Sequence, residues 1–182
     1  MKIESTAFTR ADVDQFLDAL LDHDRQALAD RLEKASARLA ELAPRIKAGP
    51  GENAGRALVG RSPEWSNHEV LAHIAVLSKF YGVLVHKISS GQMTEIDLLE
   101  NVNLRDVVGE QMAQIEPAEL LRMALADQAR TLKLLRTVEP GFLRREAKLE
   151  NGETISAVEV ARLPLINHLE MHVDQLERSL SA

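Results

Sequence analysis

The sequence predicts an all-α protein, a four-helix bundle with one long crossover. Three observations carry that expectation. Of 182 residues, 45% are hydrophobic and 27% charged, which supplies a core and argues against disorder. Leucine fills 27 positions while aromatics make up 3%, a bias suited to helix-on-helix packing rather than to sheets. Apolar residues also recur at steps of three and four along four long segments, with Gly and Pro clusters between them. The length suits one domain over residues 1–182, and no repeat or low-complexity tract interrupts it.

The first helix is expected to open at Thr9, with Asp12 completing a capping box. Its stripe is Val13, Phe16, Leu17, Leu20 and Leu21, then Leu28, Leu32, Ala35, Leu39, Leu42 and Ile46. Asp22-His23-Asp24 interrupts the stripe, and one long helix bent there is the favoured reading. Gly49-Pro50-Gly51 breaks it, and residues 49–63 read as a loop. Ser66 and Glu69 form a second capping box, with Trp65 placed before it as a hydrophobic staple. That helix buries Val70, Ile74, Leu77, Tyr81, Leu84 and Ile88 and stops at Ser89-Ser90-Gly91.

Residues 92–116 read as the crossover, with a short helix around Ile96–Val108. Glu116-Pro117 starts the third helix, Pro being tolerated at its first position. Its stripe is Leu121, Leu125, Gln128, Leu132 and Leu135, ended by Pro140-Gly141. Asn151-Gly152 then suggests a small hairpin pairing Ala147–Leu149 with Thr154-Ile155. Ser156 and Glu159 cap the last helix, whose inner face runs Ala161, Leu165, His168, His172, Leu176 and Ser179. Pro164 lies too deep in it to be harmless, so a kink near Val160–Pro164 is expected.

Composition excludes several function classes. Net charge is −6 and no basic cluster appears, so neither a phosphate-binding face nor a base-stacking platform is present and nucleic acid is not an expected partner. With no cysteine there are no disulfides, thiolate metal sites or cysteine nucleophiles. The opening residues lack a signal-peptide core and no apolar run suggests a membrane span, so a cytoplasmic protein is expected.

The six histidines are the chemically pointed residues. His168 and His172, four apart, project from one helix face and lie on its apolar stripe. Two stacked, buried imidazoles would repel if charged and would each need a partner if neutral. A metal ion between them removes that difficulty; a pair of hydrogen-bonded core histidines is the competing reading. A third ligand must come from elsewhere. His73 lies within the second helix's stripe and can face the interior. His68 is about 140° around that helix and His86 about 220°, so neither shares its direction. His23 is an outside candidate.

In His168-Leu169-Glu170-Met171-His172 the glutamate is one position too late for a zinc-protease helix, which argues against that chemistry. Gln128 could reach a ligand histidine or simply cap a polar cavity. Asp24 could orient an imidazole or be exposed. Tyr81 and Trp65 read as packing residues, and Asp127 and Arg130 as solvated.

Trp65-Ser66-Asn67-His68-Glu69-Val70-Leu71-Ala72-His73-Ile74 resembles the second-helix motif of the DinB/YfiT-like superfamily. Gly152-Glu153-Thr154-Ile155-Ser156, Ile166-Asn167-His168 and His172-Val173-Asp174-Gln175 resemble its last helix. The resemblance implies a bundle, often a homodimer, holding a divalent metal ion on His73, His168 and His172. Relatives include mycothiol-dependent maleylpyruvate isomerase and bacillithiol transferases. This chain ends after the fourth helical segment, without the isomerases' C-terminal domain, which points away from that reaction itself. A metal on three neutral imidazoles keeps its charge and an open position, and imidazole suits Zn, Ni, Fe and Cu alike.

The leading expectation is therefore a metal-dependent transferase or hydrolase acting on a small-molecule substrate, with activated water or a low-molecular-weight thiol. A non-catalytic small-molecule binding bundle using the same cavity is the alternative, and a purely structural dimerising bundle a third. No nucleophile or general base is assigned.

Overall fold

The structure, a computed structural model, describes residues 9–47, 65–97, 100, 108 and 111–181. Helix α1 (Arg10–Leu42) starts at the expected box: the Thr9 hydroxyl accepts from the Asp12 amide, and Asp12 accepts from the Thr9 amide at 2.8 Å. It runs unbroken through Asp22-His23-Asp24. Asp22 accepts from Arg25 at 3.0 Å and from Gln26 at 2.6 Å, local pairs that support the helix there. The helix ends sooner than Gly49 because Pro44 cannot donate, and Ala43–Arg45 tightens into a 3-10 turn.

The first turns of α1 depart from expectation. Val13, Phe16, Leu17 and Leu20 are 41–62% exposed, and burial begins at Leu28. Asp18 pairs with Arg144 beyond the third helix, so these turns overhang the bundle end. Helical periodicity reports an apolar face but not whether a neighbour covers it.

Helix α2 (Asn67–Ser89) is the most buried element. Ser66 and Glu69 cap it reciprocally, and Val70, Leu71, Ala72, Ile74 and Leu77 are fully buried. Each such large side chain contributes roughly 1.5–3 kcal/mol. Contrary to the sequence reading, α2 is long and apolar enough by composition to cross a membrane. Two thirds of its apolar stretch is buried inside the bundle, as in a core helix. Gly91, at φ 76°, ends the helix in the left-handed conformation.

Helix α3 (Pro117–Thr137) buries Leu120, Ala124, Gln128, Thr131 and Leu135. The expected Leu121, Leu125 and Leu132 are only half-buried. The contact line is shifted by one residue because small Ala124 and Thr131 let α3 approach its neighbours. After a 3-10 turn (Pro140–Arg144), β2 (Glu146–Leu149) and β3 (Thr154–Ser156) pair antiparallel, Ala147 opposite Ile155, as the hairpin reading expects. The all-α bundle carries one unexpected addition. β1 (Glu95–Ile96) joins β2 in parallel, so Ile96 is in a strand and not at the head of a helix. Glu100 and Val108 are helical; most of the expected crossover helix lies outside the described residues.

The last helix, α4 (157–181), has three segments: α-helical Ala157–Val160, π-helical Ala161–Asn167 and α-helical His168–Ser181. Around Pro164, where the sequence reading expects a kink, the hydrogen-bond ladder widens into the π-helical segment. Having no donor for the carbonyl one turn back, the proline favours a ladder that reaches one residue further. Ser179, expected inside, is exposed.

Polar contacts define the topology. Asp24 meets Arg162, Arg31 meets Glu170, Arg38 meets Asp174 and Glu177, and Arg45 meets the Leu180 carbonyl. Both numberings rise together, so α1 and α4 are parallel. Ser78 with Gln128 and Gly82 with Thr131 make α2 and α3 parallel by the same logic. Asp18 with Arg144 and Arg25 with the Leu135 carbonyl set α1 antiparallel to α3. The order is up-down-down-up, and the α2–α3 connection is the long crossover. Parallel α2 and α3 leave α2 antiparallel to α4, which brings their histidines level.

Candidate metal centre

His73 lies in the second turn of α2, and His168 and His172 are one turn apart just after the π-helical segment of α4. One ligand nitrogen from each can be chosen so that all three lie within 4.8 Å of one another. His73 Nε2 is 3.4 Å from His168 Nε2. Ring centroids are 4.8 Å apart for His73–His172 and for His168–His172. His73 and His172 are buried and His168 is half-buried, so the cluster opens to solvent on the His168 side.

His172 has the most telling environment. Its Nδ1 lies 2.9 Å from Gln175 Oε1, a donor to that amide oxygen. Its Nε2 is buried and has no hydrogen-bond partner among the described residues. Burial lowers its pKa, with the Gln175 bond opposing the shift, so the ring is held neutral near pH 7. An unpartnered buried nitrogen costs roughly 1–3 kcal/mol unless something uses it. Two nitrogens at 2.0–2.1 Å from one tetrahedral ion stand about 3.3–3.4 Å apart, which matches the His73–His168 separation. The donor set therefore suits a divalent ion.

The other sequence candidates lie elsewhere. His68 is buried, its Nε2 2.7 Å from the Ile115 carbonyl, where it ties the crossover to α2. His23 and His86 are exposed. Asp24 pairs with Arg162 at 2.6 Å rather than with an imidazole. Gln128 donates to Ser78 at 3.0 Å between α2 and α3 rather than to a ligand histidine. Tyr81 packs edge-on against Phe80. Asp127 pairs with Arg130 and is largely shielded, so only the arginine is solvated. Glu170 faces Arg31, opposite the cluster, as its spacing requires.

Two residues of the site escape periodicity. Trp65 does more than pack: its indole stacks on His172 at 6.1 Å and 18° and lies 5.1 Å from the His73 ring. Gln175 is three residues after His172, a spacing that brings side chains together on a helix and could have revealed it.

No protein-family model and no curated protein sequence matches this chain. Solved structures do match. A mycothiol-dependent maleylpyruvate isomerase superposes with a TM-score of 0.62 at 16% identity, covering 85% of this chain. This chain spans only 62% of that isomerase's length. YfiT from Bacillus subtilis, described as a probable metal-dependent hydrolase with an unusual four-helix bundle topology, superposes with a TM-score of 0.63 at 14% identity. That match covers 99% of this chain and 94% of YfiT. The chain has the YfiT fold. The likeness to YfiT runs nearly end to end in both proteins, and at this identity it speaks for architecture alone. The four-helix bundle expected from the sequence is the observed fold, and it is shared with YfiT.

Proposed function

We propose that the chain holds a divalent metal ion on His73, His168 and His172 and works as a metal-dependent hydrolase or transferase on a small molecule. The observation that carries this reading is the buried Nε2 of His172, which has no hydrogen-bond partner among the described residues, on a ring beside two further imidazoles. When bound, an ion on three neutral imidazoles retains its positive charge and an open position, and acidifies a water or thiol placed there. The chain's own residues do the rest. Trp65 and the buried rings of His73 and His172 shield the inner side from water, and half-buried His168 leaves an approach from outside.

Activated water is the favoured nucleophile, because YfiT, described as a probable hydrolase, matches over nearly its whole length. A low-molecular-weight thiol is the second, supported by the isomerase's mycothiol dependence. With no cysteine in the chain, such a thiol comes from solution. A cytoplasmic homodimer belongs to the same reading; the exposed Val13, Phe16, Leu17 and Leu20 face supports a second copy.

The test is elemental analysis of untagged protein beside His73→Ala and His168→Ala, followed by hydrolysis and thiol-transfer screens. Near one metal per chain, lost in both variants, is expected. No uptake even after incubation with Zn, Ni and Fe(II) would sink the metal reading. Metal without turnover of any substrate class would leave a binding bundle.

A further inference from the structure

The tautomer of a neutral histidine is set by what its far nitrogen meets, and only the bare nitrogen can hold a metal. On α4, Gln175 stands three residues after His172 with its Oε1 2.9 Å from Nδ1. The opposite nitrogen, Nε2, is buried and has no hydrogen-bond partner among the described residues, and the ring belongs to the histidine cluster. Trp65 lies nearly parallel to the same ring, 18° between planes at 6.1 Å, and limits how far it can turn. The ring is thus held at one edge by an amide and at one face by an indole.

We propose that Gln175 is a positioning residue: its amide oxygen keeps the proton of His172 on Nδ1 and so presents a bare Nε2 to the histidine cluster. This rests on the metal reading for its purpose, but not for its geometry. Without the acceptor, the proton is free to move to Nε2, the nitrogen that has to be bare. His73 and His168 face each other through their Nε2 atoms, 3.4 Å apart; in the proposed arrangement His172 Nε2 is the third donor, and a proton there would block it. Gln175 is itself half-buried, so its replacement does not open a core cavity.

The experiment compares wild type with Gln175→Leu, which removes the acceptor, and Gln175→Glu, which keeps it. Nitrogen-15 NMR of the metal-free protein reads which ring nitrogen of His172 carries the proton, and Zn(II) titration reads affinity. Wild type is expected to show the proton on Nδ1. Gln175→Leu should shift it toward Nε2 and weaken Zn(II) binding about 10–100-fold, with unchanged helical content. Gln175→Glu should restore the Nδ1–H form and at least wild-type affinity. A proton on Nε2 in the wild type would overturn the proposal. So would a leucine variant with the wild-type tautomer. A wild type that shows the Nδ1–H form yet takes up no Zn(II), Ni(II) or Fe(II) would defeat the metal reading alone.

Discussion

Gly82→Ala tests how tightly the two parallel helices α2 and α3 approach each other. A methyl group built at Gly82 would lie 2.5 Å from Thr131 Oγ1, well inside contact distance. The Thr131 hydroxyl donates to the Asp127 carbonyl at 3.2 Å, so turning it away breaks that bond. Alanine in place of a helical glycine gains about 1 kcal/mol, whereas overpacking a tight contact costs about 1–3 kcal/mol. The single substitution should therefore leave stability unchanged or lower it by up to about 2 kcal/mol. In a Thr131→Ala background the outcome reverses. The next atom from the new methyl is Thr131 Cβ at 3.8 Å, an ordinary contact, so only the gain of about 1 kcal/mol survives there. Urea unfolding of the four proteins closes the cycle, and a coupling of about 1–3 kcal/mol is expected. A Gly82→Ala protein stabilised by the full amount in the wild-type background would refute the close approach and the register derived from it.

Three further outcomes follow from the same geometry. If the histidines hold a metal, Zn(II) at a hundredfold over its Kd should stabilise by about 2.7 kcal/mol, raising Tm by roughly 5–10 °C. A chelator should remove the shift, and His168→Ala should never show it. Ser156→Ala deletes the capping box that opens α4 and should cost about 1 kcal/mol in urea unfolding; a loss near zero would contradict that cap. Glu177 is held below the ordinary glutamate range by its hydrogen bond from Arg38. Its lowered pKa means the stabilisation is present above the unfolded pKa and is lost as pH falls through the folded one. Arg38→Met should therefore be less stable than wild type near neutrality, with the gap closing in acid; a gap independent of pH would count against the pair.

Much of the site is legible in the residue order. His73 on the second stripe and His168 with His172 on the fourth are placed by helical spacing, because one helix fixes the relative directions of its own side chains. The capping boxes at Thr9, Ser66 and Ser156 are local for the same reason, each involving residues three apart. Errors cluster where an outcome depends on something distant. Phe16 and Leu20 repeat like core residues, yet they overhang the bundle end. Asp24 looks able to orient an imidazole until Arg162 is found beside it.

The sequence by itself determined the four helices, the capping boxes at Thr9, Ser66 and Ser156, the hairpin at Asn151-Gly152 and the place of His73, His168 and His172 on apolar stripes. These follow from backbone geometry and periodicity, which act within a few residues. Only the tertiary structure decided that α2 and α3 run parallel, that α4 stands level with His73, and that Trp65 and Gln175 close around His172. It also decided that the two-residue strand Glu95–Ile96 pairs with β2, a match too short to leave a pattern. The physical reason is that contact between elements is set by the packing of whole faces. A face shifted by one residue, as on α3, presents different side chains with no change in the periodic signal.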